Sequence, residues 1–463
     1  MIESKSVTSL TRAGKTAVIV AAFLGWFFAG MHLGITSLAM GSASKDLLKS
    51  TGNYEETAAH PASTVDQSTD RNATATATVE LSEAGQRLQT DSSKWFGYYV
   101  CALLFGGALG GLVFGRIGDQ YGRVKGMMAS ICCYSGVSAI AYFAQTPEQL
   151  WIARFVVCMG VGGMWPNGVA LMSEAWASAS RPLLAGVIGT AANIGIFMTG
   201  VAGKIREVSP DDWRWVMLMG AAPIALGLLV PFFVPESPKW LKDQRRLRGE
   251  IDDEDSEEPV QAVTTKEIFT PPLLTVTLVG ILLATVPLFG GWGSSNWAIK
   301  WAEDSGSDGL KAQVIMARSL TGIIGSFLGG WIASLMGRRQ SYFINSLICL
   351  ASAQCMFWFT APTDAMTFLI MNAVLGFFSG IFFGWLPLFL PELFVTRVRS
   401  AGAGVCFNFG RIITAITVFV TAALIAHFNN DFQAIGKLTS LIYLLGAIGI
   451  LLMPKGVEGE IKD

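Results

Sequence analysis

Three ionisable side chains stand inside stretches of sequence that are otherwise almost wholly apolar. His32 lies in Gly30-Met-His-Leu-Gly34, halfway along an apolar run at about 17–40. Arg154 opens Arg154-Phe-Val-Val-Cys-Met-Gly-Val-Gly-Gly163 in a run at 149–173, and Arg411 closes Phe407-Asn-Phe-Gly-Arg411 in a run at 400–427. A charge held in hydrocarbon is costly, so each of these residues is a functional candidate. A guanidinium is a planar fork that matches a carboxylate through two parallel hydrogen bonds, and an imidazole can carry a proton near neutral pH. Arg318, in the run at 312–336, is a further cation whose facing the sequence leaves open. No Asp or Glu sits at the middle of any run, and cations without acids favour an anionic partner over a cationic one.

Polar and aromatic residues in the same runs would serve as the walls of a binding cavity. They are Trp165 and Asn167, Asn193, Trp292, Asn296 and Trp297, then Asn372 and Asn408. Gly290-Gly-Trp-Gly-Ser-Ser-Asn-Trp297 is the most telling of these stretches, because its glycines allow an interrupted helix, a recurring device at transporter binding sites. Enzyme chemistry is not expected. No Ser-His-Asp, Cys-His or paired-carboxylate spacing is present, and no Gly-rich phosphate loop follows a strand. All seven Cys fall in apolar segments, and Cys132 and Cys133 are adjacent without a C-x-x-C partner, so neither a disulfide framework nor a metal site nor any cofactor is expected.

The elements that must position these residues are membrane helices. Of 463 residues 52% are hydrophobic and 14% charged, with a mean hydropathy of +0.48, far from a soluble composition. Further apolar runs fall near 95–117, 124–144, 182–204, 213–234, 272–297, 341–360, 365–390 and 433–453, so that about twelve have spanning length. The sequence predicts an N-terminal unit over 1–234, a linker over 235–271 and a C-terminal unit over 272–463. The Ser/Thr/Ala-rich stretch 43–92 reads as a loose loop between the first two helices. Lys and Arg concentrate on one side: Lys5, Arg12, Lys15, Arg116, Arg123, Lys125, Arg338 and Arg339 with the linker cluster. The positive-inside rule then puts both termini in the cytoplasm and 43–92 outside, in a bacterial inner or other plasma membrane. The partners expected are the lipid bilayer and a small-molecule substrate, not nucleic acid.

The chain is internally duplicated. Gly115-Arg-Ile-Gly-Asp-Gln-Tyr-Gly-Arg-Val-Lys125 returns as Gly330-Trp-Ile-Ala-Ser-Leu-Met-Gly-Arg-Arg-Gln340, and Glu174 with Arg181 returns as Glu392 with Arg399. The first of these stretches resembles the loop between the second and third helices of the major facilitator superfamily, which reads G-x-x-x-D-x-x-G-R-(K/R). Pro235-Glu-Ser-Pro-Lys-Trp-Leu241 is similar to the P-E-S-P-R-W-L signature of its sugar porters and organic-ion transporters. The resemblance implies an all-α fold of twelve transmembrane helices in two pseudo-symmetric six-helix bundles, acting as a monomer. It makes Gly115, Asp119, Gly122, Arg123, Glu174, Arg181, Arg338, Glu392 and Arg399 a gate. Ser334 replaces the Asp in the second copy, so that latch should be the weaker one.

Within the same resemblance Arg154 matches the helix 4 Arg that faces a protonatable group on helix 1, usually an Asp; here His32 stands in that place. Two outcomes follow. Either His32 titrates and couples transport to protons, or the swap has removed coupling and left a facilitator. The N-x-G-R at Arg411 is similar to that of carboxylate symporters, while the Gln residues with which sugar porters hold a hexose are absent. The expected function is therefore secondary transport of a small organic anion, a carboxylate, by alternating access. His32, Arg154, Asn193, Trp292, Asn296, Asn408 and Arg411 are expected at the substrate, with His32 and Arg154 carrying the coupling. The alternative is a sugar or polyol facilitator.

Overall fold

A computed structural model describes residues 10–51, 54, 83–176, 181–248, 265–271, 273–305, 307, 309–394 and 398–453. Among these residues twelve helices are long and apolar enough to cross a bilayer. Helices 1 to 6 run over Arg12–Ser50, Glu83–Tyr121, Arg123–Ala141, Pro147–Ala175, Arg181–Ile205 and Trp215–Phe233. Helices 7 to 12 run over Leu273–Asp304, Leu310–Met336, Arg338–Phe359, Ala365–Glu392, Arg399–Ala423 and Phe432–Leu451. No strand occurs among the described residues, and the chain is an all-α membrane protein.

Helices 1 and 2 reach past their apolar runs into the predicted loop, since 43–50 and 83–92 are helical. Several of the polar residues there are paired. Lys45 meets Asp304 of helix 7, Asp46 accepts from Trp213 just before helix 6, and Asp91 accepts from Tyr54 at 2.6 Å. The Thr-rich middle of that stretch lies outside the described residues.

Packing is closest where small residues let backbones meet. Helix 2 lies against helix 4, and helix 8 against helix 10. A Cβ on Gly110 would collide with the Met159 carbonyl, and one on Gly384 with the Ser326 carbonyl. Across the bundles helix 2 meets helix 11, helix 5 meets helix 8, and helix 1 meets helix 7. Three helices are interrupted: helix 6 at Ala222 and Pro223, helix 12 between Thr439 and Ile442, and helix 7 by a π-helical stretch, Phe289–Ser294. Below, the face where helix 1 begins is called the terminal face and the opposite one the far face.

Candidate functional site

Between the two bundles lies a cavity of about 170 Å³. Helix 1 contributes Trp26 and Ser37, helix 4 Trp165, helix 5 Asn193, helix 7 Trp292 and Asn296, helix 8 Arg318, and helix 11 Phe407 and Arg411. Trp26 and Trp165 pack ring to ring at 4.8 Å and form an apolar wall on the first-bundle side. Arg411 donates to the Gly107 carbonyl of helix 2 at 3.0 Å and lies 4.7 Å over the Phe407 ring. Arg318 donates to the Gly291 carbonyl at 2.8 Å. That carbonyl belongs to the π-helical stretch, where the α-helical bonding pattern is broken. Among the described residues no acid lines the cavity beside either guanidinium. Two amides cross between bundles: Asn193 donates to Ser326 at 2.9 Å, and Asn296 accepts from Ser37 at 3.0 Å.

Of the residues expected at the substrate, Asn193, Trp292, Asn296 and Arg411 come together on this cavity, and Arg318 joins them. His32, Arg154 and Asn408 do not line it. Asn408 faces helix 2 near Gly111. Arg154 is buried between helices 4 and 1 and donates to the His32 carbonyl and to the Thr36 hydroxyl, both at 2.8 Å. It holds the backbone of helix 1, not the imidazole. His32 Nε2 lies 3.0 Å from the Gly220 carbonyl of helix 6, which fixes the neutral tautomer with the proton on Nε2. Its Nδ1 is buried without a hydrogen-bond partner, as are Arg154 Nε and Nη1. For His32, Arg154 and Asn408 the depth in the membrane was legible in the sequence, but the rotation of the helix was not.

At the terminal face the duplicated motifs build two similar turns. Gly122 (φ +116°) and Gly337 (φ +82°) take positive φ, a conformation open to glycine, and each starts the helix that follows. Arg123 pairs with Asp119 and stands 3.9 Å from Glu174. In the second copy Arg338 holds Glu392 through two bonds of 3.0 Å, and Ser334 turns back onto the Trp331 carbonyl. The second copy, expected to be the weaker latch, has the better-formed Arg–Glu pair. Arg399 Nε donates to the Phe394 carbonyl at 3.4 Å. Gly115 packs beside Pro166, and the Arg181 side chain lies outside the described residues.

The Pro235–Leu241 motif caps the first turn. Glu236 accepts from the backbone N–H groups of Arg123 and Val124, at the start of helix 3, and from that of Ser237. Burial pushes its carboxyl above the usual range, against the opposing pull of those three N–H groups. Trp240 ties the same segment down by donating to the Asp119 carbonyl at 2.8 Å.

The far face holds a cluster the sequence reading missed. Lys45 of helix 1 reaches Asp304 at 2.9 Å, and Lys300 reaches the same carboxylate at 2.6 Å. Lys311 of helix 8 meets Glu303 at 2.8 Å and donates to Ser42 at 2.7 Å, and Ser42 in turn lies 2.7 Å from Glu303. Gly41 makes room, since a Cβ there would collide with the Glu303 carboxylate. Lys300 and Lys311 read as loop charges in the sequence. The i, i+3, i+4 spacing of Lys300, Glu303 and Asp304 is the signal that places them on one helix face.

Two six-helix bundles around a central cavity that opens onto cations, with inter-bundle polar contacts, define the build of a membrane transporter. The Major Facilitator Superfamily profile matches residues 67–418, and the chain belongs to that family. It is similar to the cis,cis-muconate transport protein of Acinetobacter baylyi, 26% identical over 68% of this chain and 74% of that one. It is also similar to the sialic acid transporter NanX of Escherichia coli K12, 22% identical over 76% of this chain and 82% of that one. Among solved structures, a crystal structure of the D-xylose-proton symporter covers 95% of this chain and 97% of that one at TM-score 0.64 and 16% identity, a likeness of fold.

Proposed function

We propose that this transporter moves a small organic acid, as its carboxylate anion, by alternating access. One observation carries the reading: Arg318 and Arg411 both face the cavity, and among the described residues no carboxylate lines it. Buried charge that the protein leaves uncompensated is costly, and an anionic ligand compensates it. Each guanidinium spends one nitrogen on a backbone carbonyl, which fixes the fork and leaves its other donors for the ligand. The tryptophan wall opposite would take the apolar body of the acid. Relatives named for muconate and sialic acid, both acids, support the class. In this reading both termini are cytoplasmic, so the far face is the outer one and the structure is closed there. The membrane is the bacterial inner membrane, and the protein works as a monomer.

The test compares thermal unfolding of the purified protein with cis,cis-muconate and with xylose. Ligand at about a hundred times its Kd would add roughly 2.7 kcal/mol of stability. Stabilisation by muconate, lost in Arg411→Gln, is the expected result; stabilisation by xylose alone would replace the anion reading with a sugar facilitator. Coupling is assigned to His32, acting through the helix 1–helix 6 contact it makes at Gly220 and with Arg154 holding helix 1 in place. His32→Ala should abolish accumulation driven by a pH gradient while sparing exchange, and loss of both or of neither would reject the assignment.

A further inference from the structure

The cluster at the far face divides unevenly when the bundles part. Glu303 and Asp304 are matched within their own bundle, where Lys300 lies 2.6 Å from Asp304 and Lys311 lies 2.8 Å from Glu303. In the first bundle Asp46 accepts from Trp213 at 2.8 Å and sits 3.5 Å from Arg214. Lys45 differs from all of these, because its carboxylate, Asp304, belongs to the opposite bundle. Separation therefore leaves the second-bundle cluster neutral and paired but strips Lys45 of its counter-charge. The Lys45 side chain is already 23% exposed at the far face, against 4% for Asp304. It stands eight residues beyond Ser37 on the same helix, about 12 Å along the axis, and Ser37 lines the central cavity.

We propose that Lys45 is an outer access site for the anionic substrate. In the conformation open at the far face, a carboxylate of the small organic acid takes the position beside Lys45 Nζ that Asp304 occupies in the closed one. It then passes inward to Arg318 and Arg411. One carboxylate replaces another at a single ammonium, so the charge is compensated in both conformations. An acid bound at Lys45 competes with Asp304 and keeps the face from closing until the acid has moved on. The inference rests on the carboxylate reading of the cavity.

Uptake of external cis,cis-muconate by cells carrying the full chain tests it, together with muconate binding to the purified protein. Lys45→Gln should raise the KM for uptake about tenfold, the loss expected for a steering charge at an entrance, and should leave binding to the purified protein intact. Lys45→Arg should restore the KM. Asp304→Asn dissolves the same inter-bundle pair but keeps the ammonium, and should leave the KM at or below that of the unaltered protein. If Lys45→Gln and Asp304→Asn raise the KM alike, the pair is only a latch and the access site is rejected; an unchanged KM in Lys45→Gln rejects it too. Should Lys45→Gln fail to reach the membrane, the salt dependence of uptake decides. Freeing the ammonium in Asp304→Asn should steepen it, and equal slopes would overturn the proposal. Failure of the unaltered protein to bind muconate is a separate result, and strikes the reading of the cavity itself.

Discussion

The two faces of the molecule use ion pairs differently. At the far face the ion pair Lys45–Asp304, with the Ser42–Glu303 hydrogen bond beside it, joins one bundle to the other, while Lys300–Asp304 and Lys311–Glu303 stay within the second bundle. At the terminal face Arg123–Glu174 and Arg338–Glu392 each stay within a bundle. A pair that spans the interface is made in one conformation and broken in another, so it weighs on which conformation is populated. A pair inside a bundle moves as a rigid part of it and serves to hold a turn. Burial adds a smaller contrast: Asp304 and Glu303 are 4% and 10% exposed, against 15% for Glu174 and 23% for Glu392. The far face holds a state and the terminal face holds a shape.

The sharpest way to break this comparison is Glu303→Gln. It takes the counter-charge from Lys311 in a nearly water-free setting, where loss of one partner costs about 3 kcal/mol or more. Thermal unfolding in detergent should show a larger drop than for Arg338→Gln, whose partly exposed pair is worth at most about 1 kcal/mol; both pairs lie within the second bundle, so the reverse order would end the burial contrast between the faces. Next come the two glycine turns. Gly122→Ala places a Cβ against the Glu236 carboxylate as well as straining a positive φ, while Gly337→Ala meets nothing within 4 Å. Both should lose stability, Gly122→Ala by about 2–3 kcal/mol and Gly337→Ala by about 1 kcal/mol. Equal losses would mean that the Glu236 cap is not what distinguishes the first turn. The smallest effect is expected for Asp119→Asn, with stability within about 0.5 kcal/mol of the unaltered protein; a loss near that of Glu303→Gln would make the exposed pair a structural one after all.

Much of this architecture was legible in the sequence. Twelve runs became twelve helices, the repeat at Gly115 and Gly330 became two matching turns, and four of the seven substrate candidates share a cavity. What the sequence withheld was rotation. Arg154, Arg318 and Arg411 all sit in helices apolar on every side, so no polar stripe says which way a cation points. Arg154 turns inward because Cys158 and Gly162 pack helix 4 against helix 2, and Gly162 could not carry a Cβ beside Gly107. The far-face cluster was missed for a second reason. Hydropathy ends a helix where charge begins, but Lys45 and Asp304 continue theirs because each satisfies the other.

The π-helical stretch of helix 7 has a consequence for heredity as well as for shape. The stretch holds one residue more than an α-helical turn would, and each residue of an α-helix turns the face by about 100°. Asn296, Lys300, Glu303 and Asp304 all follow it. Because the wider π turn absorbs its surplus residue, deleting one residue between Phe289 and Ser294 would return the stretch to an ordinary α-helix and leave the cavity amide and the far-face carboxylates close to their present facing. A deletion just after it, at the start of Ser295–Asp304, has no such slack and would swing Lys300, Glu303 and Asp304 off their partners together. A change of length is absorbed at one place along helix 7 and not at the next.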